Sequence, residues 1–137
     1  MTEDTPRYGA APSTREIETL ARAVFDTLPP GFAAPAREVG LRVVDFAPDH
    51  VLDELQIEDA FGLTGLYDGV PMTQKSVMDQ PQQPDVIWLF RRPILDEWAA
   101  RGNVALSDLV AHVTVHELAH HFGRSDDDIA AIDRWWE

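Results

Sequence analysis

The sequence predicts an α+β domain, a small mixed β-sheet packed against helices, one of which carries the chemistry. Three observations lead there. Helical periodicity and strand-like apolar runs follow the order helix, strand, helix, strands, helices, without a regular alternation of strand and helix. At 137 residues with 45% apolar content the chain has the size of one domain with a real core. Three of its five histidines fall in HELAHH, residues 116–121, at the end of the apolar run LSDLVAHVTV.

Residues 1–12 are polar and punctuated by Pro6, Gly9 and Pro12, which predicts a disordered leader before a single domain over 13–137. Ser13 and Glu16 have capping-box spacing, and Ile17, Leu20, Ala21, Val24 and Phe25 share one face of the helix that follows. That helix ends at Pro29-Pro30. VGLRVVDFAP has the β-branched content of a strand. DHVLDELQI reads as a short helix with Asp49 as its N-cap. GLTGLYDGVPM is an irregular or edge strand, TQKSVMDQPQQP a polar loop, and DVIWLF a compact strand closed by Arg91-Arg92-Pro93. PILDEWAARG is a short helix stopped at Gly102. The long helix runs from about Ser107 to Phe122, Gly123 ends it, and DDDIAAIDRWW forms a last helix.

Composition narrows the function. Eleven basic residues against 24 acidic give a net charge of −13, and Arg91-Arg92 is the only basic doublet, which argues against nucleic acid as a partner. No window is apolar enough to span a membrane, and the N-terminus lacks the basic start and apolar core of a secretory signal. The expectation is a cytoplasmic protein without membrane attachment. The absence of cysteine removes disulfides, thiolate ligands and cysteine nucleophiles.

On a helix, positions i and i+4 lie one turn apart on one face, with Cβ atoms about 5–6 Å apart. His116 and His120 can therefore share one zinc ion, each nitrogen at about 2.0–2.1 Å. Glu117 stands at the edge of that face, where a carboxylate reaches water beside the ion without ligating it. Gly123 can take positive φ and turn the chain back towards the histidines, bringing Asp126 within range as third ligand. The full pattern is H-E-x-x-H-x-x-G-x-x-D. Zinc held by His116, His120 and Asp126 would acidify a water and polarise a carbonyl. Glu117 is the general base for that water.

The neighbouring histidines have other readings. His112 lies two turns, about 12 Å, from His120, too far to share the ion, and reads as a partly buried histidine or one that supports the ligands from behind. His121 points about 100° away from His120 and packs or faces water; His50 is a surface residue. Tyr67 is a candidate donor to a developing oxyanion, although a packed strand tyrosine is its simpler role. Asp127 and Asp128 are first-turn carboxylates of the last helix.

Carried by these residues, the chain resembles the small bacterial zincin-like metallopeptidases over roughly residues 35–135. The resemblance rests on VTVHELAHHFGRSDDDI, and to a lesser degree on GLYDGVPMTQKS and PDVIWLFRRPIL. It implies a minimal zincin-like fold with one zinc ion, ligand roles for His116, His120 and Asp126, and the base role for Glu117. It also sets Gly65, Leu66 and Tyr67 beside a substrate cleft, where an extended peptide or protein segment could pair with the strand. Larger relatives carry a third histidine where this chain has Asp126, and a downstream methionine turn that residues 127–137 do not supply. The expected function is hydrolysis of peptide bonds. The alternative is a non-catalytic module that keeps the fold and metal site but recognises a protein or peptide partner.

Overall fold

The computed structural model describes residues 11–28, 32, 36–69 and 85–121. Helix α1 spans Thr14–Phe25, strand β1 Gly40–Val44, helix α2 Asp49–Glu54, and a 3-10 turn Ala60–Gly62. Strands β2 (Gly65–Asp68) and β3 (Val86–Phe90) follow, then helices α3 (Arg91–Arg101) and α4 (Leu106–His121). The expected leader lies outside the described residues except for Ala11 and Pro12, whose carbonyl accepts from Arg91 Nε at 2.6 Å. The expected last helix lies outside them as well.

The sheet has the order β1-β3-β2, with β1 parallel and β2 antiparallel to β3. It is a mixed sheet in an α+β arrangement, and β2 lies on its edge. Alternation along each strand sorts side chains between two faces. Leu41, Ile87 and Leu89 face α1 and α4, joining Ile17, Val24, Leu109, Val110 and Leu118 in the main core. Trp88, Phe90 and Leu66 face the other way, onto Leu52 and Ala47.

Local chemistry explains most boundaries. Glu16 N–H donates to the Ser13 hydroxyl at 3.1 Å while Ser13 N–H donates to the Glu16 carboxylate at 2.8 Å, the reciprocal capping box that starts α1. Gly102 closes α3 at φ 74°, a left-handed conformation that glycine takes without steric cost. Three starts differ from the sequence expectation, the first being α4, which begins at Leu106, one residue before Ser107. Pro48, not Asp49, is the cap of α2, so Asp49 is the first helical residue and gives no side-chain cap bond. Helix α3 begins at Arg91 because Pro93 falls in its first turn, where its missing N–H has no intrahelical partner to lose.

Candidate metal centre

Helix α4 is enclosed on most of its circumference. Leu106, Leu109, Val110, Ala111, Val113, Thr114, Val115, Leu118, Ala119 and His121 are all buried. What stays open is a stripe at four-residue spacing, Asp108, His112, His116 and His120, with Glu117 at its border. Burial of three faces thus leaves the histidines as the helix's solvent face. The His116 and His120 rings lie side by side with centroids 5.1 Å apart and planes at 79°.

Edge strand β2 crosses α4 at close range. A Cβ on Gly65 would fall 2.8 Å from Val113 Cγ1 and 3.3 Å from Glu117 Cγ, so this approach requires glycine. Two residues on, the Tyr67 backbone N–H donates to the Glu117 carboxylate. Burial pushes the Glu117 carboxyl up to about 7, and the Tyr67 N–H partly offsets it by favouring the charged form. A carboxyl balanced near neutrality can both accept and return a proton. Glu117, His116, His112 and Val113 line a solvent-open cavity of about 190 Å³, together with Thr64 and Glu97 of α3.

The Tyr67 hydroxyl turns away from this cavity. It donates to Asp85 Oδ2 at 2.9 Å and lies 3.2 Å from His121 Nδ1. His121 Nδ1 is itself 3.0 Å from Asp85 Oδ2. The carboxylate only accepts, so Tyr67 and His121 both act as donors to it, which sets the His121 proton on Nδ1. Burial and the Asp85 carboxylate, with a smaller effect of Asp68, hold the Tyr67 phenol well above its ordinary range. It therefore remains a donor at any working pH. Sequence reasoning missed Asp85, whose only signal is a charged residue directly before the apolar run VIWLF. Of the two roles offered for His121, packing is the one observed.

Two imidazoles on one helix face are donors that suit zinc, and the partly buried Glu117 carboxyl at the border of that face is placed to meet a bound water rather than the ion. Among the described residues no three His, Cys, Asp or Glu side chains come together to hold an ion. The expected third ligand, Asp126, lies outside the described residues, as does Gly123. Gly65, Leu66 and Tyr67 form the strand that borders the cavity, with Leu66 turned to the opposite sheet face.

The model of one family, the zincin-like metallopeptidases, matches residues 36–136. The chain belongs to that family. The match includes β1, β2, β3 and α4, so the sheet and the histidine helix are the family's own scaffold. No curated protein matches the chain. Among the described residues of this zincin-like protein, no helix is long and apolar enough to cross a membrane.

Proposed function

We propose that the protein is a zinc-dependent peptidase in which His116, His120 and Asp126 hold one ion and Glu117 is the general base. The observation that carries this reading is the state of Glu117. It is partly buried against strand β2, pushed up to about 7 by that burial, and stands beside His116 on the wall of a cavity, at the border of the face that carries His116 and His120. A carboxyl with no chemical task gains nothing from such burial, whereas a general base works best with a pKa near the operating pH.

Zinc, when bound, supplies a Lewis acid that polarises the scissile carbonyl and acidifies the attacking water. The chain's own residues do the rest. Glu117 takes the water's proton and later delivers it to the leaving amine. The Tyr67 N–H keeps the Glu117 carboxylate oriented while it does so. Strand β2 offers the substrate a backbone. The Phe90 N–H donates to the Thr64 carbonyl at 2.9 Å, so Thr64 and Leu66 point their main-chain groups at β3. By alternation the main-chain groups of Gly65 and the carbonyl of Tyr67 point outward along the sheet edge, the Tyr67 N–H being taken by Glu117. An extended peptide pairing there would run past Glu117, so short or unfolded peptides are the substrates this edge fits.

Calorimetric titration of zinc into chelator-stripped protein, followed by cleavage of a mixed peptide library, tests the reading. One equivalent should bind with release of protons, since imidazole ligates only when neutral. Glu117→Ala should keep zinc binding and lose hydrolysis about 100-fold or more. Hydrolysis that survives this change would remove Glu117 from the mechanism. Tight zinc binding with no cleavage of any peptide would instead favour a partner-binding module.

A further inference from the structure

The Tyr67–Asp85–His121 cluster lies outside the cavity and no step above uses it. Asp85 is 7% exposed and His121 4%, so both polar groups are withdrawn from water, and each has the other and Tyr67 within hydrogen-bond distance. Asp85 stands at the foot of β3, and its carbonyl accepts from the Gly40 N–H of β1 at 2.8 Å, which fixes it to the sheet. Its carboxylate reaches the two elements that build the metal centre. One is β2, through the Tyr67 hydroxyl and through the close approach of Gly69, the residue after the strand, where a Cβ would overlap the carboxylate. The other is the last turn of α4, through His121, the chain neighbour of His120.

Tyr67 is bonded at both ends. Its hydroxyl meets Asp85 while its backbone N–H meets Glu117. A shift of the ring's anchor therefore moves the donor that orients the base. We propose that Asp85 is a positioning residue of the metal centre: through Tyr67 it holds the backbone donor against Glu117, and through His121 it fixes the helical turn that presents His120. The proposal rests on the zinc-peptidase reading for its metal half alone. A buried carboxylate tying two elements by charge-assisted hydrogen bonds is well suited to this, because its loss removes the acceptor that both donors share and lets the elements shift.

Two measurements on the full chain test it, with Tyr67→Phe and Asp85→Asn as variants and Val110→Ala as a core control on the same helix. The first is hydrogen exchange of the residue-67 amide in metal-free protein. Both variants should raise its exchange at least about 10-fold beyond any global change, and Val110→Ala should not. The second is cobalt(II) titration, in which Asp85→Asn should weaken affinity about 10- to 100-fold and alter the visible d–d bands, while Val110→Ala should not. Should Asp85→Asn fail to fold, Tyr67→Phe decides the Glu117 half, since it removes one oxygen and keeps the ring, and His121→Gln in the cobalt titration decides the His120 half. Unchanged residue-67 exchange in a folded variant would overturn the hold on Glu117; unchanged cobalt affinity and bands would overturn the hold on His120. If the unaltered protein takes up no cobalt, the metal reading fails together with the His120 half, and the exchange experiment still judges the Glu117 half.

Discussion

Replacing Glu117 by Gln should stabilise the metal-free protein, and by an amount that depends on pH. Glu117 is lifted from its ordinary 4.5 to about 7 by burial. Folding therefore favours its protonated form. Below about pH 4.5 both folded and unfolded chains carry the proton and nothing is lost. Between 4.5 and 7 the unfolded chain has released it while the folded chain retains it, so stability falls as pH rises through this window and levels off above it. At about 1.4 kcal/mol per unit the full shift would correspond to about 3 kcal/mol, and partial contact of the side chain with water reduces this to about 2 kcal/mol. Gln has nearly the same shape, accepts from the Tyr67 N–H through its carbonyl oxygen, and carries no charge to desolvate. Scanning calorimetry in EDTA should show the Gln variant melting about 6 °C higher than the parent at pH 8. At pH 5 the advantage should shrink to roughly a quarter. An equal difference at the two pH values, or a variant that melts lower at pH 8, would refute the claim that burial of this carboxyl costs stability.

Gly65→Ala should destabilise by about 1–3 kcal/mol in urea unfolding, because its methyl meets Val113 Cγ1 at 2.8 Å, and adding Val113→Ala should recover part of the loss. Zinc bound at neutral pH should be released as pH falls below about 6, as the histidine ligands protonate; a dye-based release assay reads this, and full retention at pH 5 would exclude a histidine site. Ser13→Ala should cost about 1 kcal/mol by removing both halves of the capping box, seen as a lower urea midpoint with an unchanged slope.

Local signals in the sequence carried the elements, and long-range contacts were beyond it. The capping box and the Ile17, Ala21, Val24, Phe25 face defined α1 because both depend on residues within a turn of one another. VIWLF was recognisable as a strand and GLYD as an edge strand from their composition and glycine flanks. The start of α3 was missed because Pro93 reads as a stop, whereas a proline in the first helical turn is tolerated. The stripe of His112, His116 and His120 was visible from spacing alone. The Asp85 cluster was not, since Tyr67 and His121 stand 54 positions apart and meet only once β2 has paired with β3 and crossed α4. Nor could spacing show that Gly65 is a point of contact with Val113 and Glu117, which depends on how closely two elements approach.

The same crossing accounts for both the poised base and its cost. Glu117 is desolvated because β2 lies against α4, and β2 can lie there only because Gly65 has no side chain. A larger residue would lift the strand, admit water and let the carboxyl fall back towards its ordinary value, so the basicity of Glu117 is set by a residue 52 positions before it. Such an approach is unfavourable by itself, since it buries a carboxyl against a single backbone donor. It persists because the strand is secured on either side: its main chain pairs with β3, and the Tyr67 hydroxyl is fastened to Asp85. Loosening either attachment should therefore lower the pKa of Glu117 before it unfolds the domain. In Tyr67→Phe, NMR titration of the metal-free Glu117 carboxyl should give a midpoint below that of the parent at unchanged helix content. A midpoint that stays at the parent value would mean that β3 pairing alone holds the strand in place.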